Sequence, residues 1–201
     1  MKKEQDYIRD IAEIRSMMER SSRFLSLSGW AGIMAGIYAL AGAFVAWKLL
    51  SFNPDSIVYT TDTSVSLLLL GVIVLALAIG TAIADSFQKA KKRGEKAWNI
   101  TSKRLLSSMA VPLVTGGILV VILVLKGLMG LVAPLTLIFY GLALHNAGRY
   151  TFKEIKFLGI AEIFLGLVSS YFIEYGLLFW AAGFGVVHII YGAYMFYRYK
   201  R

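Results

Sequence analysis

The chain has 201 residues, of which 58% are hydrophobic, and its formal net charge at pH 7 is +9. Soluble domains are about 45–50% apolar, so this composition excludes an ordinary soluble domain and predicts a membrane protein. The sequence has no cysteine, which excludes disulfides, thiol catalysis and cysteine-ligated metals. The positive charge comes with no nucleic-acid motif, so we expect the lipid bilayer, and no nucleic acid, as its partner.

The first 25 residues predict a cytoplasmic amphipathic helix. Apolar residues recur there at steps of three and four, as one stripe of a helix requires: Tyr7, Ile8, Ile11, Ile14, Met17 and Met18. The polar side mixes acidic with basic residues, whereas a helix that lies on anionic lipid carries mostly Lys and Arg there. Three hypotheses stand for residues 1–25: homo-oligomer formation, docking on another membrane or cytoplasmic protein, and lying on the membrane.

Residues 26–201 contain six apolar segments, each close to the ~20 residues that a helix needs to cross a bilayer. They cover 29–50, 64–87, 105–125, 128–145, 155–173 and 177–197. A transmembrane barrel would alternate polar and apolar residues, and these runs are continuous. The predicted fold is therefore all-α, a polytopic transmembrane domain of six helices.

Lysine and arginine are distributed unevenly around these segments. Of the 21 such residues, eighteen precede the first segment, follow the last, or lie in the gaps after the second and the fourth, and Lys156 lies at the adjoining start of the fifth segment. Lys48 and Lys126 alone lie at the opposite ends. Short loops rich in Lys and Arg stay in the cytoplasm, so we predict a bacterial-type cytoplasmic (inner) membrane location with both termini cytoplasmic.

The six segments repeat in pairs, which predicts three tandem helical hairpins. The odd-numbered segments share a hydroxyl residue two positions before a cation and a glycine thirteen positions after it, and the even-numbered ones share a glycine after Ile or Tyr. Small residues let helices approach closely in lipid, so we expect helix contacts at Gly32, Gly36, Gly116, Gly166, Gly80, Gly141 and Gly192. The first segment carries two ridges of small residues, which predicts two helix neighbours.

This pattern resembles a known family. Runs such as Leu158-Gly159-Ile160-Ala161-Glu162 and Ile189-Ile190-Tyr191-Gly192, within three hairpins, are similar to the short-repeat six-span membrane proteins of the HdeD acid-resistance type. The charged N-terminal helix and the weaker repeats outside the third hairpin depart from that pattern. The resemblance implies an inner-membrane protein linked to stress or acid tolerance, and no catalytic residues come with it.

Two ionisable residues lie deep within the apolar segments. Glu162 follows Lys156 by six residues, ~9 Å along a helix, and His188 precedes Tyr197 by nine residues, ~13 Å. Ionisable residues inside a membrane are costly and mark candidate sites. A Glu–His pair predicts a proton relay or a cation site, since imidazole titrates near neutral pH. A structural hydrogen bond between helices, and two side chains that face different ways, are the alternatives.

Enzyme signatures are missing from the sequence, which has no H-E-x-x-H, no G-x-S-x-G and no P-loop. We expect no catalytic residue, no cofactor and no metal site. Three tyrosines lie in the middle of apolar segments: Tyr38, Tyr140 and Tyr191. Their hydroxyls can add polar lining, but we expect them to be core rings with one hydrogen bond each. The leading prediction is a non-enzymatic, stress-related membrane protein that acts through helix packing or assembly. The alternative is a small-solute or proton pathway, in a channel or transporter, centred on Glu162 and His188.

Overall fold

A computed structural model describes residues 29–50, 61–92 and 98–199, with the main chain alone for 61–64. Within these ranges the chain forms helices and turns and no strand, which confirms the all-α prediction. Single 3₁₀ turns, Met129–Leu131 and Ile173–Tyr175, precede the fourth and sixth helices. The helices are α1 (Gly29–Lys48), α2 (Thr61–Lys92), α3 (Ile100–Leu125), α4 (Val132–Ala147), α5 (Glu154–Tyr171) and α6 (176–198). The predicted amphipathic helix of residues 1–25 lies outside the described residues.

Five helical segments are long and apolar enough to cross a membrane, which makes this a membrane protein by composition. They are Gly29–Lys48, Val65–Lys92, Ile100–Leu125, Met129–Ala147 and Ile173–Arg198. Helix α5 differs because its 18 residues include three charged side chains, those of Glu154, Lys156 and Glu162. The first two lie in its opening turn, whereas Glu162 lies at its middle. Of these three charged residues, Glu162 is the one in the interior of the helix.

Helices α2 and α3 extend beyond their predicted apolar segments. Helix α2 continues through polar residues to Lys92, and α3 begins at Ile100, five residues before the predicted start. A capping box explains the early start, because the Asn99 side chain accepts from the Ser102 backbone N–H at 2.9 Å and the Ser102 Oγ accepts from the Asn99 N–H at 2.9 Å. Such caps satisfy otherwise unpaired N–H groups of the first turn. Hydropathy locates the apolar stretch of a helix and does not locate its ends.

The closest helix pairs are not those of the predicted hairpins. Helix α4 packs most extensively on α5 and next on α3, while α1 packs on α6 and on α2. Helix α1 therefore has two neighbours, as its two ridges of small residues predict. Helices α5 and α6 are joined by a tight turn but share few contacts. The two most extensive seams of the bundle are α4–α5 and α1–α6, and the second of them joins the first helix to the last.

Glycines line both of these seams. A methyl group added at Gly36 would lie 2.6 Å from the Gly185 carbonyl oxygen, and one at Gly192 would lie 2.5 Å from that of Gly29, between α1 and α6. Gly32 lies beside Gly192 on the same seam, with the closest distance 3.2 Å. Such positions need glycine because backbone meets backbone.

The α4–α5 seam uses the same device. A methyl group at Gly141 would lie 2.6 Å from the Gly159 oxygen, and one at Gly166 would lie 2.6 Å from Ile138 Cγ1 and 2.8 Å from the Pro134 oxygen. Gly141 and Gly166 were predicted as packing positions without a partner helix, and they lie between α4 and α5, which belong to consecutive hairpins. Sequence periodicity places glycines on helix faces but does not say which helix each face meets.

The two remaining predicted packing glycines differ from each other. A methyl group at Gly116 would lie 2.6 Å from Phe139 Cβ, so this glycine does bring α3 against α4. Around Gly80 no atom of the described residues lies within 4 Å of the added methyl group. The packing role of Gly80 stays a prediction, because the described residues place no helix against this glycine.

Basic residues gather at one end of the bundle. The start of α1 lies beside the end of α6, where Gly29 meets Gly192 and Phe196. The starts of α3 and α5 meet the end of α4 in one apolar cluster of Leu105, Leu144, Ala147, Ile155 and Leu158. Tyr38 hydrogen-bonds Thr81 at 3.2 Å, and Gly42, further along α1, lies against Val74, which is earlier in α2. The two helices are therefore antiparallel, so the end of α2 lies on the side where α1 begins. This basic end carries Lys89, Lys91, Lys92, Lys103, Arg104, Arg149, Lys153, Lys156 and Arg198, and the opposite end carries Lys48 and Lys126.

Candidate functional site

Glu162 lies at the centre of the bundle. It is the ninth of 18 residues in α5, about 12–14 Å from either end at 1.5 Å per residue. None of its surface is exposed, and neither carboxylate oxygen has a hydrogen-bond partner among the described residues. A buried carboxylate without donors is costly unless it is protonated or paired with a cation. The residues that face it therefore determine its chemistry.

His188 faces Glu162 from α6, at a point where that helix changes its winding. Helix α6 begins as an α-helix over Gly176–Trp180, continues as a π-helix over Ala181–Val187 and resumes as an α-helix over His188–Arg198. Short π segments are rare and are frequent at functional sites. His188 is the first residue after the π segment, and only 5% of its surface is exposed.

The two side chains meet through the His188 Nδ1 atom. It lies 3.3 Å from Glu162 Oε1 and 2.9 Å from the carbonyl oxygen of Gly183, within the π segment. A carbonyl oxygen can only accept, so Nδ1 carries a hydrogen and donates it to Gly183. The same nitrogen therefore lies within reach of both the carbonyl oxygen of Gly183 and the carboxylate of Glu162.

Tyr140 of α4 extends the contact to a third helix. Its hydroxyl lies 3.0 Å from His188 Nε2, so the phenol and both imidazole nitrogens form one chain of polar contacts that ends at Glu162. Phe184 packs against the His188 ring at 5.9 Å between centroids and against the Tyr140 ring at 5.0 Å. These rings hold the imidazole in a fixed plane. Tyr140 was expected to be a core ring with one hydrogen bond, and that bond is made to the candidate site.

The burial of Glu162 and His188 limits the protonation states of the pair. One proton beyond the Nδ1 hydrogen makes the pair neutral overall, either as carboxylate with imidazolium or as carboxylic acid with imidazole. Removing that proton leaves an unpaired carboxylate, and adding a second leaves an unpaired imidazolium. Each outcome places an uncompensated charge in a buried site, which costs several kcal/mol or more. One proton shared by the pair is therefore the arrangement that leaves no uncompensated charge at this site.

Gly183 makes room for the carboxylate. A methyl group on Gly183 would lie 2.5 Å from Glu162 Oε2 and 2.6 Å from Leu137 Cδ2. Sequence reasoning missed this residue, because the glycine pattern was searched for helix pairs and not for side-chain cavities. The run Ala181-Ala182-Gly183-Phe184-Gly185 just before the histidine was an available indication, since two glycines so close together weaken an α-helix.

A second buried polar atom lies on the same helix face as Glu162. Ser169 follows Glu162 by seven residues, is fully buried, and its Oγ has no hydrogen-bond partner among the described residues. Two helical turns, about 10 Å, separate the two side chains. The described part of the chain brings no group of three His, Asp or Glu side chains together, so at this site Glu162 and His188 supply two ligands at most. The arrangement suits proton exchange better than metal binding.

No family model, curated protein or solved structure matches this chain, so its function is argued from the geometry of Glu162, His188 and Tyr140.

Proposed function

We propose that the chain is a six-span protein of the bacterial-type cytoplasmic membrane with both termini in the cytoplasm. The gathering of basic residues at one end of the bundle supports this orientation, because short loops rich in Lys and Arg are retained on the inner side. Helix α5 completes the six spans, since its 18 residues extend about 27 Å and its one central charged residue is paired. We also propose that the chain inserts into the membrane as three tandem hairpins, although the most extensive helix contacts are between different hairpins.

We further propose that its function is proton transfer across the membrane through Glu162, His188 and Tyr140. The observation that carries this proposal is the fully buried Glu162 carboxylate, whose Oε1 lies 3.3 Å from His188 Nδ1. In a purely structural hydrogen bond, a neutral amide or hydroxyl serves as well, without the cost of burying an ionisable pair. Ionisable residues in the middle of membrane helices are typical of proton relays.

The transfer follows from the single proton that the pair holds. A proton that enters from Tyr140 binds His188 Nε2, and the Nδ1 proton passes to Glu162 Oε1. The resulting carboxylic acid releases its proton on the opposite side, and Tyr140 regains its hydroxyl proton from the entry side. The imidazole is left protonated at Nε2, and rotation of its ring with exchange of that proton restores the first tautomer before the next turnover. Over one turnover the pair gains one proton and loses one, so its charge is the same at the end as at the start.

A flux assay tests the proposal directly. Purified protein in liposomes that contain a pH-sensitive dye receives an external pH step, and the initial rate of internal pH change is measured. Glu162→Gln, His188→Ala and Tyr140→Phe should each reduce the protein-dependent rate at least tenfold, because the proposed transfer passes through all three side chains. Glu174→Gln, which removes a carboxylate from the 3₁₀ turn before α6, is the matched control and should leave the rate unchanged. Equal rates for wild type, Glu162→Gln and protein-free liposomes would exclude proton transfer.

Assembly through helix packing is the second candidate function, and helix α2 favours it. Among the described residues, nothing buries the apolar part of α2, and α2 contacts α1 and, slightly, α3. Chemical crosslinking in native membranes measures the association of the full chain and of a variant that lacks residues 1–22. A monomer in both cases would exclude assembly, whereas loss of dimer on deletion would assign it to residues 1–25. A role in acid or general stress tolerance follows from the resemblance to the HdeD type and is compatible with either function.

A further inference from the structure

An open groove separates α5 from α6 in the basic half of the bundle. Its volume is about 580 Å³, and its walls are mainly apolar, formed by Phe157 and Ala161 of α5 and by Val187 and Ile190 of α6. Helix α5 contacts the first two segments of α6 but has no comparable contact with His188–Arg198. The two helices therefore diverge towards the basic end, and the divergence leaves the groove.

Charged and phenolic side chains surround the mouth of the groove. Lys153 and Arg198 line it together with Glu154 and Tyr194. Arg198 Nε lies 3.6 Å from Glu154 Oε1, and its guanidinium also donates to the Tyr194 hydroxyl. The five N–H donors of an arginine are not exhausted by these two contacts. Two cations against one carboxylate leave the mouth with a net positive charge.

The carboxylate of Glu154 is already engaged by neighbouring side chains of the protein. The Tyr199 hydroxyl donates to Glu154 Oε1 at 3.0 Å, and Tyr199 stacks on Phe152 with 4.5 Å between ring centroids. Partial burial, followed by the hydrogen bond to Glu154, raises the pKa of the Tyr199 phenol above its ordinary value, so it stays protonated at neutral pH. Tyr199 and Arg198 thus both contact Oε1 of this carboxylate, while Lys153 is exposed at the mouth.

We propose that the α5–α6 groove binds one anionic phospholipid of the leaflet at the basic end, with an acyl chain along the apolar walls and the phosphate between Lys153 and Arg198. The charge at the mouth is complementary to an anionic headgroup. The walls behind it are mainly apolar, with Tyr191 as a polar lining residue, so they suit an acyl chain better than a soluble anion. Basic pockets between membrane helices on the cytoplasmic side are suited to anionic lipid headgroups. This inference is independent of proton transfer.

Lipid competition on the intact protein tests the inference. Wild-type protein in mild detergent receives equal mole fractions of phosphatidylglycerol and phosphatidylcholine, and native mass spectrometry measures the ratio of the two lipids retained. We expect the wild type to retain phosphatidylglycerol preferentially. Lys153→Gln should lower that preference about fivefold, as expected for one basic residue near an anionic surface. Lys126→Gln, an exposed cation at the opposite end, should leave it unchanged.

A groove-filling variant separates chain binding from charge. Ala161→Phe keeps every cation and occupies the space of the acyl chain, so it should abolish retention of the tightly bound lipid. Ile118→Phe enlarges an exposed side chain on α3 and should not. Equal retention of both lipids by wild type would overturn the proposal, as would loss of the preference when inorganic phosphate alone is added, because a free-anion site then explains the charge. Lys153→Gln leaves the Glu154–Arg198 contact intact and so does not depend on a disrupted fold.

Discussion

Gly183 leaves the space that the carboxylate of Glu162 occupies, since a methyl group on Gly183 would lie 2.5 Å from Glu162 Oε2. The carbonyl of the same glycine accepts the hydrogen bond from His188 Nδ1. One residue of the π segment therefore positions both members of the pair, by its missing side chain for Glu162 and by its backbone for His188.

Gly183→Ala should destabilise the protein and separate the pair. The added methyl group also meets Leu137, which is fully buried, and overpacking a core position costs about 1–3 kcal/mol. Thermal unfolding in detergent measures the loss of stability. Gly117→Ala is the matched control, because no described atom lies within 4 Å of its added methyl group, and it should raise the stability by up to ~1 kcal/mol through helix propensity. Equal unfolding temperatures for the two variants would contradict the packing around Gly183.

Glu162 and His188 should be energetically coupled. In a double-mutant cycle of Glu162→Gln and His188→Gln, we expect a coupling free energy of about 0.6–2 kcal/mol, the range for polar contacts between membrane helices. Reversible unfolding in mixed micelles measures each corner of the cycle. Glu162→Gln combined with Thr81→Val, on the distant α2, should be additive within about 0.5 kcal/mol. Additivity in the Glu162–His188 cycle as well would show that the contact contributes nothing to stability.

The α4–α5 seam should tolerate no side chain at Gly159. A methyl group there would lie 2.6 Å from the backbone oxygen of Gly141 and 2.7 Å from the backbone nitrogen of His145. Backbone atoms, unlike side chains, cannot rotate away from it. Gly159→Ala should therefore lower the unfolding temperature, at a cost of about 1–3 kcal/mol. Gly80→Ala, on the uncovered face of α2, should be neutral or slightly stabilising in a monomer. A destabilised Gly80→Ala would instead indicate that a partner covers this face, in support of assembly.

The orientation of the bundle can be read with single cysteines, because the chain has none of its own. Lys126→Cys and Lys103→Cys place an exposed thiol at opposite ends of α3. A membrane-impermeant maleimide should label Lys126→Cys in intact cells and Lys103→Cys only after the membrane is permeabilised. The reverse pattern would invert the proposed orientation, and labelling of both thiols in intact cells would exclude α3 as a transmembrane helix.

Several features of this protein follow from its sequence alone. Long apolar runs form helices because hydrocarbon offers no partner for backbone N–H and C=O groups. The sequence also shows directly that every second connection between these runs is rich in Lys and Arg. Glu162 and His188 are also conspicuous in the sequence, since a charge in the middle of an apolar run needs a reason. Helix ends are less legible, as the capping box at Asn99 and Ser102 shows, because caps are polar and lie outside the apolar run.

Tertiary structure alone decided which of these elements meet. The sequence places Gly141 and Gly159 on apolar faces, but their contact depends on how six similar helices fit together, and many pairings would bury small residues equally well. The π segment that turns His188 towards Glu162, the approach of Tyr140 from α4, and the divergence of α5 from α6 are properties of that arrangement. Each depends on distances between residues far apart in the chain. Hydropathy and helical periodicity carry no information about such distances.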